Sequence, residues 1–144
     1  MLRIYGARGL KPLALSDGAA RTNPDKTNVE LTGISDPQNQ GGGTAASRVK
    51  ASVMPIGGGD LALSPAPPVG LSGAAAIDGD GKFAGIALLK PVIVAGPAAA
   101  TPTAQSVLVP ADSVREFLKA NGVNAAGGSS DAKASVVRVI CVRK

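Results

Sequence analysis

Residues 70–88 read GLSGAAAIDGDGKFAGIAL. Two short apolar runs, 74–77 and 83–89, flank Asp78-Gly79-Asp80-Gly81. Asp-Gly pairs between apolar runs are a strong hairpin signal, because their backbones accept the dihedrals that a tight reversal needs. Ahead of the hairpin, Ser72 stands close to Gly70 and Gly73. Such a serine is either a nucleophile or a small residue in a tight turn. A nucleophilic serine needs a general base, usually histidine, and this chain contains no histidine.

Outward from the hairpin the chain breaks into short pieces. Residues 44–54 place Ala45, Val49, Ala51 and Val53 at two-residue spacing, with Arg48, Lys50 and Ser52 opposite. That pattern predicts a half-buried strand. Further strands are expected over 2–5, 29–34, 60–63 and 105–109. Residues 16–28, 38–43 and 90–103 read as loops, and 64–69 as a proline-rich approach to Gly70. A helix is expected over 112–121: Val114, Phe117 and Leu118 share a face, Asp112 can cap its start, and Gly122 sits where it should stop. Residues 123–134 resemble a flexible linker, and the alternating residues 135–143 a final strand. That strand would either pack on its own domain or extend a neighbouring sheet edge. Short strands joined by turns argue for an all-β barrel or sandwich with the helix outside.

Composition agrees. A chain of 144 residues suits one domain with a modest core. Aromatics are limited to Tyr5, Phe83 and Phe117, so Ala, Val, Leu and Ile must fill the interior. The 19 Gly and 11 Pro favour turns over long helices. The net charge of +5 comes from scattered residues, without a basic stripe or aromatics on which bases could stack, so no nucleic-acid partner is expected. Cys141 is the only cysteine, which excludes an internal disulfide and a cysteine metal site. Residues 1–15 do not read as a signal peptide. The most apolar stretch, 83–96, is broken by Lys90 and Pro91, so no membrane span is expected. Asp78-Gly79-Asp80-Gly81 is not a calcium loop, since Phe83 and Leu89 stand where Gly and Glu are required. Gly41–43 and Gly57–59 lack the lysine of a phosphate loop. No cofactor or metal is expected.

The block at 70–88 resembles the nucleophile block of trypsin-like serine proteases, most closely the bacterial high-temperature-requirement subgroup. Their pattern is Gly, a variable residue, Ser, Gly, Gly, Pro, an apolar strand, a turn, and an apolar strand containing Gly-Ile. Gly70, Ser72, Gly73 and Gly85-Ile86 fall on it without a gap, while Leu71 takes the variable position. Ala74 and Ala75 depart from it. QSVLVPADSVREFLKANG (105–122) is similar to the family's last barrel strand and closing helix. KPLALSDG (11–18) and VELTGISDP (29–37) resemble the lead-in and first strand of its C-terminal barrel. LRIYG (2–6) resembles the tail of the strand after the catalytic aspartate.

The resemblance implies a six-stranded antiparallel β-barrel over 1–122 with a closing helix; beyond it the residues themselves read as a linker, 123–134, and a terminal strand, 135–144. It implies Ser72 as nucleophile and the Gly70 amide, with that of Ser72, as oxyanion hole. Ala87 and Leu88 would lie near the pocket for a peptide or protein substrate. The histidine and aspartate would come from an N-terminal barrel outside this chain. Alone, the chain should be inactive, and the uncovered face of a half-enzyme would favour a homodimer. The family points to the bacterial periplasm or cell envelope. Lys82 and Lys90 are conceivable bases in a serine–lysine arrangement, although Lys82 at a turn would ordinarily stay solvated and protonated. A catalytically inactive barrel that binds peptide or serves as a structural module stays open beside the protease reading.

Overall fold

A computed structural model describes residues 11–17, 28–35, 46–90, 105–125, 127–129 and 131–137. Six strands carry the fold: β1 (Asn28–Gly33), β2 (Ser47–Pro55), β3 (Leu61–Ser64), β4 (Ala75–Ile77), β5 (Phe83–Lys90) and β6 (Gln105–Pro110). Every pairing is antiparallel, and the order β1-β2-β3-β6-β5-β4 closes as a barrel. Two meanders, β1-β2-β3 and β4-β5-β6, are thus joined along both flanks. Closure pairs every strand on both sides and removes the exposed edges of an open sheet.

The alternation read from the sequence sets which side faces in. On β2, Ala51 and Val53 are buried while Lys50 is exposed. On β1, Val29 and Leu31 join the core. Leu31 faces Val49 on β2 and Ala76 on β4, so one side chain sits at the seam where the barrel closes. Small residues fill the rest: Ala76, Ala84 and Ala87 are all buried in the same cluster. A six-stranded barrel is narrow, and alanine lets its walls approach without voids.

The hairpin between β4 and β5 forms where Asp78 places it. Its Oδ1 accepts from the amides of Asp80 (3.0 Å) and Lys82 (2.9 Å). Gly81 takes the positive φ of 75° that the reversal needs. A register shift between Ala76 and Ile77 marks a bulge ahead of the turn.

The helix α1 (Ala111–Ala120) follows β6 directly and packs against β5 and β6. Its N-cap is Pro110, not Asp112, because the strand runs straight into the helix. Asp112 lies in the first turn and pairs with Arg115. The end falls where expected. Gly122 has φ 69°, its amide donates to Lys119 O, and that of Val123 donates to Leu118 O. This is a Schellman stop, in which a left-handed glycine satisfies the last carbonyls. Phe117, expected on the packed face, is 52% exposed.

The segments outside the barrel lie across it. The Ser16 amide donates to Phe83 O (2.9 Å), the Phe83 amide donates to Ala14 O (2.8 Å), and the Arg115 guanidinium donates to Ser16 O (2.7 Å). Residues 127–129 pack onto this strap, with Ser129 bridging Leu13 in parallel. A Cβ on Gly127 would lie 1.9 Å from Leu13 O, so close backbone contact takes the place of the expected linker here. The short helix α2 (Ala132–Ser135) is capped by Asp131. Ser135, expected to open a strand, therefore closes a helix, and Val136 and Val137 join no ladder. The rest of that expected strand, Cys141, and the strand expected at 2–5 lie outside the described residues.

The seam residue gives a direct test. Leu31→Ala should cost about 2–5 kcal/mol in a urea melt, as a large-to-small change at a fully buried site. Met54→Ala, at a 46% exposed position, should change stability by about 0.5 kcal/mol or less. Equal effects would remove Leu31 from the role of closing residue.

Candidate active site

Ser72 leaves a single turn of 3-10 helix, Val69–Leu71. Three features hold that turn. The Leu71 amide donates to Pro68 O (2.9 Å) and the Ser72 amide to Val69 O (3.1 Å). Leu71 is fully buried in the barrel core, where it plugs the end beside Gly33. Gly70 lies against the loop after β1, and a Cβ there would come within 1.7 Å of Ser35 O. The chain is pinned before Ser72 by backbone contact and by a core side chain. Leu71, assigned no weight in the sequence because of its variable position, is the anchor.

Beyond Ser72 the chain rejoins the barrel. Gly73 has φ 91° with open space around its Cβ position, so it is there for its dihedral. Its amide donates to Ala87 O (2.7 Å), and the Ala87 amide donates to Ala74 O (2.9 Å). Residues 72–74 thus extend β4 alongside the far end of β5. The Leu89 amide donates to Ser72 Oγ at 3.3 Å. Ser72 itself is exposed. A hydroxyl that accepts one bond still has its own proton to donate, so Ser72 Oγ–H is free to point at a group arriving from the open side.

The other residues of the reading fall in different places. Ala87 is fully buried and faces the barrel core. Leu88, its neighbour on the pleat, is 38% exposed and faces outward. Val69, 80% exposed, adds a second apolar side chain to the surface around Ser72, one the sequence did not single out. Gly70 and Ser72 are two residues apart on the same turn, but the Ser72 amide is engaged with Val69 O. For that amide to receive an oxyanion, the bond must open. Lys82 lies at the hairpin end of the barrel, where it faces Asp17 at 3.9 Å. β4 separates it from Ser72. Lys90 ends β5, next to the residue that bonds Ser72, and is exposed. Among the described residues no group of three His, Cys, Asp or Glu side chains could hold a metal ion. No helix of the described residues is long and apolar enough to cross a membrane.

Gly70 and Gly73 support the serine turn for different reasons, and substitution separates them. Gly73→Ala should cost about 1–2 kcal/mol, the strain of a left-handed alanine with nothing to clash. Gly70→Ala should cost more, because the Ser35 backbone must move, and should change the exposure of Ser72 to small electrophiles. Thermal melts of both variants check this, and a milder effect at Gly70 would refute the contact. In comparisons with known proteins, no family model matches the chain, and neither a curated protein nor a solved structure matches it significantly.

Proposed function

We propose that this chain is the C-terminal barrel of a trypsin-like serine endopeptidase, with Ser72 as its nucleophile. The observation that carries the reading is the setting of Ser72. It is an exposed serine on a pinned glycine turn, beside the end of a closed six-stranded antiparallel barrel that leads directly into a helix. Strand order and helix placement agree with the resemblance at 70–88 and 105–122.

The chemistry assigns each part. A base supplied by a second barrel would take the Ser72 Oγ proton as the oxygen attacks a peptide carbonyl. The amides of Gly70 and Ser72 would receive the oxyanion once the bond to Val69 O opens, and a hole of this kind is worth about 3–4 kcal/mol of transition-state stabilisation per donor. Val69 and Leu88, exposed and apolar on this side, suit contact with an apolar stretch of substrate or with the second barrel. The substrate class is then an extended peptide with apolar side chains, and the family resemblance favours the bacterial periplasm or cell envelope.

Two observations favour the alternative, a barrel that binds peptide without cleaving it. The Ser72 amide is committed within the turn, and no histidine occurs in the sequence. Such a barrel would use Val69 and Leu88 as a docking surface and Ser72 only as a turn residue.

The native polypeptide carrying this chain, taken from its own cell, decides between them. Fluorophosphonate treatment and digestion should yield a modified peptide containing Ser72. Ser72→Ala should abolish both the label and peptide hydrolysis, a loss of about 10⁴-fold or more. Labelling that persists in Ser72→Ala would overturn the assignment. An unlabelled native polypeptide that still binds apolar peptides would establish the binding module.

A further inference from the structure

The strap at 11–17 pairs with two neighbours. Phe83 on β5 is one. The other is Ser129: the Ala14 amide donates to Ser129 O (3.2 Å) and the Ser129 amide donates to Pro12 O (3.1 Å), a parallel ladder centred on Leu13. Residues 127–129 therefore sit on the strap as an added strand. Beside them lies an apolar groove of about 340 Å³, lined by Leu13 and Leu15 of the strap, Ile86 of β5, Val114 of α1, and Val136 and Val137. We infer that this edge of the strap is a strand-addition site for an extended peptide, with glycine where Gly127 stands and apolar side chains for the groove, and that residues 127–137 are its resident occupant.

Three observations carry the inference. First, the contact selects its occupant. Ladder bonds accept any extended backbone, so selection must come from side chains. A Cβ on Gly127 would lie 1.9 Å from Leu13 O and 2.4 Å from Leu13 C, while its φ is not left-handed, so glycine is needed there for space alone. The next residue, Gly128, has open space around its Cβ position. Second, the resident segment covers the groove without filling it. Val136 and Val137 line it, yet the volume beside them stays open and Val137 is 48% exposed. An occupant with larger apolar side chains would bury more surface there. Third, the segment is the outer layer of the two. Besides the ladder, it is held by a bond from Ser135 Oγ to Lys11 O and by the buried Ala132. The strap beneath it is held to the barrel by Phe83, by the Arg115 guanidinium and by the ion pairs of Asp17 with Lys82 and Arg115. Release of 127–137 is thus a local opening that leaves the strap and its pairing groups in place.

The site holds whether or not Ser72 is a nucleophile, and it is tested without that residue. The isotope-labelled full chain is titrated with a synthetic peptide, GGSSDAKASVV, the sequence of residues 127–137. Amide NMR shifts are followed at Leu13, Ala14 and Phe83. In the parent the tethered segment competes at an effective concentration on the order of millimolar, so the peptide should bind weakly. Gly127→Val drives the resident segment off Leu13 O, and the peptide should bind this variant about tenfold or more tightly than the parent. Ser129→Pro removes the amide that donates to Pro12 O and leaves the Gly127 contact alone, and it should act in the same way. Gly128→Ala should match the parent. The peptide carrying Gly127→Val should bind none of them. Affinity that is undetectable or no higher in the two opened variants than in the parent overturns the inference. So does binding of the valine peptide as tightly as the glycine peptide, which would make the contact mere apolar adhesion. Loss of the folded amide pattern in both Gly127→Val and Ser129→Pro also overturns it, since residues 127–137 would then be part of the barrel's support and not an occupant of its surface.

Discussion

Closure of the barrel is the constraint from which the other features follow. β1 must pair with β2 on one flank and β4 on the other, and it does so around Leu31, which faces Val49 and Ala76. A ring of six strands leaves little room inside. The interior is accordingly built from alanine, valine and leucine, with no aromatic residue in the buried cluster. Larger residues would force the walls apart and break a pairing somewhere on the ring. Glycine serves the same end at the barrel corner: a Cβ on Gly85 would stand 2.3 Å from Val109 O on the neighbouring strand.

Closure also explains how a serine comes to stand where it does. β4 is only three residues long, but the chain continues its pairing with β5 back to Ser72 through the bonds of Gly73 and Ala74. Both ends of this strand are held by different means. At one end Asp78 folds the hairpin with its own carboxylate. At the other, Leu71 enters the core and Gly70 meets the Ser35 carbonyl. Neither anchor requires chemistry at Ser72. A rigid scaffold with a reactive group at its rim is the usual way that function is placed on a fold, and the same rigidity would persist if the reactive group fell silent.

Much of the fold was legible in the residues. The alternation around Val49, Ala51 and Val53, the Asp-Gly turn and the Gly122 stop carry local information, and each lies where expected to within a few residues. The illegible parts depend on contacts distant in sequence. Nothing local in residues 127–135 says that Gly127 will press on the Leu13 carbonyl or that Asp131 will cap a helix, so that segment read as a linker and the start of a strand. Phe117 belongs to a sound helical face, yet the barrel wall does not reach it. In the site, the glycine pattern located the turn, but the roles of its members emerged only from packing. Gly70 is held by steric contact, Gly73 by its dihedral, and Leu71 by burial. The pleat that puts Leu88 outside puts Ala87 inside, so two neighbours expected near one pocket face opposite sides of β5.

The hydrogen bonds of Ser72 separate what position contributes from what reactivity requires. Its Oγ accepts from the Leu89 amide, and this leaves the hydroxyl proton available to a base on the exposed side. On the proposed reading that proton is the one a base would take, whereas the hydroxyl of a turn serine commonly turns back on its own backbone. The amide of the same residue argues the other way, since it is spent on Val69 O. The two observations are compatible if the turn has two states. In one, the 3-10 bond is made and the oxyanion position is closed. In the other, a bound chain has drawn the amide outward. Opening costs one backbone hydrogen bond, about 1 kcal/mol net, which is small beside the stabilisation that two aligned amides give an oxyanion. Gly70 lies within the turn and Gly73 follows the serine, and the open space around Gly73 would give that rearrangement room. On the proposed reading the turn would have to open in this way, and a base would still have to be supplied.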